Sequence, residues 1–395
     1  VRTVVPCPDC GAPVPIPLVQ IVKGDSADVT TIFCRNCMWT DSDEIFKAGH
    51  GRALVVWGGE EIVADLRHPY VFVPVTDAAS LNSRINALTN GGTIWLEQGN
   101  YAAAGDLTIT KSNVGIWGVG RDSTILPGSV TISGGNVSLQ DMWVYANGKS
   151  YGIKMYGGGV AGVPRNELRR VRVGGNSDAG GRAPSGDGPQ VGLWLDGSIL
   201  TVADHCLFAF CNTGSGLYVN TTNGTYSTNC NVFRSCTFNG NATYGVEITE
   251  GGDGVSGMLL HSFVGGNMED NGSGEVIVDG AIGIRLQDID FETSKTISTT
   301  LNLEAANVTV ENCHATTVLS GAVTRFFLIN AGRTVVRGCR ISGNFTSPDI
   351  GAVLDNSSFF SAYDNEWWGP LGTAGNVTIT PRWINNRANQ QGYSA

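Results

Sequence analysis

One short signature recurs along the chain: an inward cysteine or apolar residue, an outward residue, then a second inward residue. Copies are Cys206-Leu207-Phe208, Cys236-Thr237-Phe238, Ile289-Asp290-Phe291, Cys313-His314-Ala315, Cys339-Arg340-Ile341 and Asn365-Glu366-Trp367. Their spacing, mostly roughly 23–30 residues, is the period of a solenoid, in which each repeat buries its inward residues on the repeat below. From Gly92 onward the chain reads as short strands separated by Gly, Asn, Asp and Ser. Alternation is clear in NVGIWGVG, SVTISGGNVSLQDMWVYANG, GIRLQDIDFE and NVTVENCHATT. Leucine-rich repeats share the period but need a leucine framework that is missing. Helical repeats are excluded by 54 glycines and by the strand alternation. A sandwich would not repeat one residue column at near-fixed intervals. The expected fold is all-β, a coil of parallel strands.

Composition narrows the functional classes. Hydrophobic residues at 42% and charged residues at 15% exclude a disordered chain. A net charge of −10 argues against nucleic-acid binding, which needs basic patches for phosphate. No apolar run reaches the roughly 18 residues of a membrane span. Val1 to Cys10 lacks the basic start and apolar core of a secretory signal, so the ten cysteines are expected to fold in a reducing compartment.

Four of those cysteines form two hooks, Cys7-Pro-Asp-Cys10 and Cys34-Arg-Asn-Cys37. Each hook aims two thiolates at one centre, and two hooks complete the tetrahedral shell that Zn²⁺ prefers. Between them, two apolar stretches flank a Lys23-Gly24-Asp25-Ser26 turn, the pattern of a hairpin. Two disulfides are the alternative; a redox centre would need only one hook. Four cysteine ligands leave no open position for water, so one structural Zn²⁺ per chain is expected, stapling a module too small to fold on its own core. The segment, roughly residues 5–40, resembles the zinc ribbon family.

The remainder divides into a connector over 41–75, a coil over 76–385 and a polar, flexible tail over 386–395. At the start of the coil, Thr76 or Asp77 can cap a helix whose apolar positions are Leu81, Ile85 and Leu88, and Asn90-Gly91-Gly92 stops it.

"GGTIWLEQGNY" followed by "LTITKSNVGIWGVGRDSTIL" resembles the opening coils of the pectate-lyase-like superfamily, over about residues 76–385. The resemblance implies a right-handed, single-stranded parallel β-helix, with the amphipathic helix plugging its open end. It specifies function poorly, because the fold hosts lyases, hydrolases, epimerases and non-catalytic phage spikes. The polygalacturonase motifs are absent from the coil. Ala48-Gly49-His50-Gly51 precedes it, so no role passes to His50, and no residue inherits a catalytic role.

The repeat register aligns Asn267, Asp290, His314, Arg340 and Glu366 in one outward column, neighbours about 4.8 Å apart. Asp290 and Glu292 alternate on one strand face, roughly 7 Å apart, which suits an inverting acid and base. A charge-balanced exposed ladder is the preferred reading, and catalysis by Asp290, Glu292, His314, Arg340 or Glu366 the alternative. Cys206, Cys236, Cys313 and Cys339 read as an interior stack. Cys211 and Cys230 fall outside it and have no reading. Trp367, Trp368 and Trp383 could stack on sugars or close the last coil.

Two functions follow from the resemblance. The first is a bacteriophage virion surface protein, a tail spike or minor tail protein, that binds host-surface polysaccharide. It would be a homotrimer joined to other virion proteins through the zinc module. A capsid-surface spike or decoration protein is a variant. The second is a polysaccharide lyase or glycoside hydrolase.

Overall fold

The computed structural model describes residues 3–6, 13–16 and 70–342, apart from 158–162, 180, 182, 222–227, 250–258, 295–296, 318–322 and 330–332. It also describes 353–354, 359–368, 382–384 and 387–389. Thr3–Pro6 pairs antiparallel with Pro13–Ile16, Pro6 opposite Pro13. The first hook therefore falls in the connection of a hairpin. All four hook cysteines, and the Lys23-Gly24-Asp25-Ser26 turn, lie outside the described residues.

The rest is a parallel β-solenoid whose coils stack into three sheets. Sheet I runs from Tyr70–Val73 through Gly92–Leu96 and Val114–Trp117 to Arg382–Ile384. Sheet II runs from Gly99–Asn100 to Arg387–Asn389, and sheet III from Leu107–Ile109 to Val353–Leu354. The sheet edges reach further than the sequence boundaries: Tyr70–Val73 lies in the segment read as connector, and Arg387–Asn389 in the tail. The helix is Leu81–Ala87, with Leu81, Ile85 and Leu88 buried. A 3-10 turn over Val75–Ser80 precedes it, so Thr76 and Asp77 lie inside that turn rather than at a cap.

Each inward residue sits on its counterpart one coil away. Sheet I stacks Ile94, Ile116, Leu139, Leu168, Ala203, Phe233 and Phe263, all with essentially no exposure. The Phe233 and Phe263 rings lie 4.8 Å apart and nearly parallel. At burial worth about 25 cal/mol per Å², this column and its counterparts on the other two sheets hold the coils together.

The coil turns sharply between sheets. Where sheet I meets sheet II, one residue per coil takes a left-handed backbone: Asp141, Arg170, His205, Ser235, Asp288, Asn312 and Asp364, with Gly265 and Gly338 in the same role. The next residue faces inward, giving Met142, Cys206, Cys236, Ile289, Cys313, Cys339 and Asn365. The turn interrupts the ladder, and where the side chain is cysteine or asparagine it donates to a main-chain carbonyl of the preceding coil. Cys206 Sγ donates to Leu168 O (3.4 Å), Cys236 Sγ to Ala203 O (3.4 Å) and Asn365 Nδ2 to Val336 O (3.0 Å). The cysteine column is thus a stack of small donors, and its members are free thiols.

The corner between sheets II and III repeats the device. Phe210, Gly240 and Asp270 are left-handed, followed by buried Cys211, Asn241 and Asn271. Asn241 Oδ1 accepts from Cys211 N (3.1 Å), and Asn271 Oδ1 from Asn241 N (3.0 Å). Cys211 is therefore the first rung of a second polar stack. Gly216 and Gly245 make room for it, since a Cβ there would lie 2.7 Å from Asn241 Nδ2 and 2.9 Å from Asn271 Nδ2.

At the third corner the stack includes Asn166, Thr201, Asn231 and His261. Asn166 Oδ1 accepts from Val137 N and Asn231 Oδ1 from Thr201 N. Asn231 Nδ2 lies 3.4 Å from His261 Nδ1. Burial pushes the His261 pKa down to about 4, so the folded ring is neutral. The unfolded chain, with a histidine near 6.5, binds the extra proton between those values. Stability from this group is complete above pH 6.5, falls as pH drops towards 4, and is then flat. The loss is about 3 kcal/mol. Urea midpoints across that window should show the slope, and His261→Asn, which continues the asparagine stack, should remove it.

Candidate functional site

On sheet II the strands Asp290–Thr293, His314–Thr317, Arg340–Ser342 and Glu366–Trp368 pair in parallel. The register aligns Asn267, Asp290, His314, Arg340 and Glu366 in one column and continues to Arg387. His314 Nδ1 is 3.2 Å from Asp290 Oδ1, and Arg340 Nε donates to Glu366 Oε2 at 3.1 Å. Both members of the first pair are about half exposed (50% and 50%). Glu292 stands in the next outward column, between Glu269 and Thr316. Asp290 faces His314 and Arg340 faces Glu366 on an open sheet in contact with solvent, pairings that give modest stabilisation. The Asp290–His314 contact could orient an imidazole, the one element of acid–base chemistry in the column.

Backbone register separates the three tryptophans. Trp367 continues the column of Phe291, Ala315 and Ile341, and Trp383 that of Val336 and Ala362. The described members of these columns, Phe291, Ala315 and Val336, belong to the core. Trp368 follows Thr316 and Ser342, in line with Glu292.

A second assembly lies on sheet III. Its strands share a pattern of glycine, apolar, outward and apolar residues: Gly152-Ile153-Lys154-Met155, Gly192-Leu193-Trp194-Leu195, Gly216-Leu217-Tyr218-Val219 and Gly245-Val246-Glu247-Ile248. The apolar pairs are all fully buried. The residue between them must then face outward, and register stacks Lys154, Trp194, Tyr218 and Glu247 on consecutive coils. Two residues further on, Tyr156, Asp196, Asn220 and Thr249 form a parallel column.

The side chains of these columns interlock. Lys154 Nζ lies 3.7 Å above the Trp194 ring and 4.9 Å from the Tyr156 ring centre. It is held 3.3 Å from Asp196 Oδ2, whose carboxylate is 1% exposed. Trp194 makes edge contacts with Tyr151 at 6.1 Å and Tyr218 at 5.6 Å. Tyr218 Oη accepts from Asn220 Nδ2 (2.7 Å) and Thr249 Oγ1 (3.2 Å), while Ser215 Oγ donates to Glu247 Oε2 (2.5 Å). The result is a half-buried row of three aromatic rings, fixed by a shielded cation and bordered by hydroxyls, an amide and a carboxylate. Rigid rings with polar neighbours are the equipment for stacking a sugar and bonding its hydroxyls.

A turn beside this row is equally fixed. Asp187, in the connection from Arg172–Gly174 to Val191–Asp196, accepts from Tyr145 Oη (2.6 Å), Ser185 Oγ (2.5 Å), and Asn176 N and Nδ2 (2.9 and 2.8 Å). Burial alone would raise its pKa, but these donors hold the carboxyl well below its usual range. Tyr145 is pushed up to about 12 by burial and then by this carboxylate.

No protein-family profile matches the sequence, and no curated protein matches it. Solved structures do. The mannuronan C-5 epimerase AlgE6 A-module of Azotobacter vinelandii is 19% identical, with a TM-score of 0.54 over 80% of this chain and 99% of that one. The AlgE4 A-module from the same organism is 18% identical, with a TM-score of 0.50 over 82% and 98%. Tailspike protein 2 from Escherichia coli O157:H7 bacteriophage CAB120 is 11% identical, with a TM-score of 0.45 over 88% and 50%. At these identities the likeness concerns the fold.

The Lys154–Asp196 pair should behave as a buried ion pair. Removing Asp196 leaves the shielded Lys154 ammonium without its counter-ion, at a cost of about 3–5 kcal/mol. Unfolding midpoints should therefore drop more for Asp196→Leu than for the double change Lys154→Met with Asp196→Leu.

Proposed function

We propose that this chain is a bacteriophage virion surface protein, a tail spike or minor tail protein, that binds a host-surface glycan along sheet III. The observation that carries the proposal is the row of Tyr151, Trp194 and Tyr218 on consecutive coils, locked by Lys154 and edged with Asn220, Thr249 and Glu247. A rigid aromatic patch that spans three coils suits a repeating polymer, and its cost is met in folding rather than in binding. The two epimerase modules of similar fold are named for a polysaccharide, mannuronan, which agrees with the proposal without carrying it. Among the described residues no helix is long and apolar enough to cross a membrane.

The N-terminal hooks supply attachment in this proposal. Cys7, Cys10, Cys34 and Cys37 would hold one structural Zn²⁺, and the hairpin Thr3–Pro6/Pro13–Ile16 brackets the first hook as a metal knuckle requires. The free thiols of the coil support synthesis in a reducing cytoplasm, where such a site loads. Other virion proteins would dock on this module, and the chain would assemble as a homotrimer.

Binding is tested by titrating purified protein with polysaccharide from the host surface. Trp194→Ala with Tyr218→Ala should weaken affinity roughly tenfold or more, given about 1 kcal/mol per lost stacking contact, with the coil less stable but still folded by circular dichroism. Undiminished binding by the double variant would reject the sheet III site. For the metal, elemental analysis should find one zinc per chain, and Cys34→Ser should release it while the coil stays folded. A metal-free protein with Cys7–Cys10 disulfides would reject that part.

The second reading, a polysaccharide lyase or glycoside hydrolase, is favoured by the Asp290–His314 contact with Glu292 nearby. It requires that the protein depolymerise the glycan and that Asp290→Ala and Glu366→Ala abolish this. A capsid-surface spike or decoration protein would share the sheet III site and differ in what the zinc module touches.

A further inference from the structure

Beside the aromatic patch of sheet III stands a carboxylate whose position is fixed from behind. Glu247 is half-buried and follows Tyr218 in register on the next coil. Ser215, itself fully buried, donates from Oγ to Glu247 Oε2 at 2.5 Å. With its proton in that bond, Ser215 Oγ accepts from Thr243 Oγ1 at 2.7 Å. This hydroxyl chain holds one carboxylate oxygen and leaves the other, Oε1, open to solvent. An ionised carboxylate only accepts hydrogen bonds. A group that completes this shell must donate, as a sugar hydroxyl does.

The charge that a ligand meets from Tyr218 onward is of one sign. Over the sheet III stretches 151–156, 191–196, 217–220, 244–249, 274–279 and 297–304, Lys154 is the only basic residue. Its ammonium is already held between the Trp194 ring and Asp196. Lys149 and Arg165 flank the Tyr151 end of the patch, and the first is paired with Asp106 at 2.9 Å. Arg325 and Arg333 lie four coils beyond Tyr218, roughly 19 Å along the axis. Between these limits stand Glu247, exposed Asp279 and half-buried Glu304, on three successive coils. Asp279 and Glu304 are direct neighbours in the ladder, a like-charge pairing that costs stability.

We propose that the sheet III site takes a non-acidic glycan, one whose repeats lack carboxylate, sulfate and phosphate, and that Glu247 makes this selection. The inference rests on the sheet III reading above and names the class of polymer. A sugar lying on Tyr218 gives hydroxyl protons to Glu247 Oε1. A sugar acid in that place sets a second carboxylate against Glu247, and like-charge juxtaposition is an effective device against the wrong partner. The Asp279–Glu304 pair extends the same field along the axis. A polymer long enough to span three coils continues past Glu247 towards Asp279, so an acidic repeat meets like charge whatever its register. Lys154 gives no relief, because Asp196 neutralises it.

The test uses the full chain on an array of purified bacterial surface polysaccharides, some with acidic repeats and some without. Binding that Trp194→Ala with Tyr218→Ala weakens should fall on non-acidic repeats. The strongest such polymer is then oxidised at its primary hydroxyls to carboxylates. Affinity should drop roughly tenfold or more at low salt and recover in part at about 1 M salt, where the Debye length is about 3 Å. Glu247→Gln keeps an acceptor oxygen and should bind the oxidised polymer severalfold better than the unchanged protein does. Asp279→Asn with Glu304→Gln removes charge away from the rings. It should also favour the oxidised polymer, leave affinity for the parent polymer unaltered, and keep the circular dichroism of the coil, since a like-charge pair is relieved. Acidic repeats bound through Trp194 and Tyr218, or an oxidised polymer bound as tightly as its parent, overturn the selection and leave the sheet III site standing. Binding that ignores the double alanine variant, or an array with nothing bound, overturns both.

Discussion

Every coil must leave one sheet and enter the next, and the hydrogen bonds lost there decide much of the sequence. A parallel ladder satisfies each backbone group only while the strand runs straight. At the corners a residue turns left-handed and the ladder is interrupted. Buried groups left alone there would cost 1–3 kcal/mol each, on every coil. The chain answers with an inward side chain directly after the turn. Cysteine or asparagine serves on five coils at the first corner, where Met142 and Ile289 stand on two others, asparagine with Cys211 at the second, and asparagine, threonine and His261 at the third.

This explains where polarity is tolerated inside the coil. The sheet interiors are apolar columns, and polar atoms gather along the three corners. Cys313 and Cys339 are neighbours in such a stack and donate to Leu286 O and Val310 O. Their thiols answer a structural need, so redox or metal chemistry is not required to account for them. The same logic gives His261 its neutral ring: a site that replaces one amide with an imidazole must exclude the proton.

The sequence made some of this legible. The Cys-x-apolar period located the first corner, and with it the register that aligns Asn267 through Glu366, because side chains there alternate strictly inward and outward. The helix face of Leu81, Ile85 and Leu88 was visible for the same reason. The second corner was not, since its asparagines follow Gly240 and Asp270 in stretches that read as ordinary turns, and Cys211 had no visible companions. The sheet III row was hidden differently. The glycine before each apolar pair is demanded by the neighbouring asparagine stack at Gly216 and Gly245, so the motif looks like scaffold. Its variable position, filled by Lys154, Trp194, Tyr218 and Glu247, is where the chain is free to choose.

That freedom separates the two candidate surfaces. The sheet II column sets Asp290 beside His314 and Arg340 beside Glu366, and these side chains stay in contact with solvent. The sheet III row chooses rings and encloses its one cation, with Asp196 almost fully buried behind Lys154. Burying a charge pair on an outer face costs free energy that an apolar pair would not, and what it provides here is orientation, since Lys154 fixes the plane of Trp194. A surface that invests in ring orientation is suited to holding a ligand, and the burial of Asp196 behind Lys154 supplies that orientation.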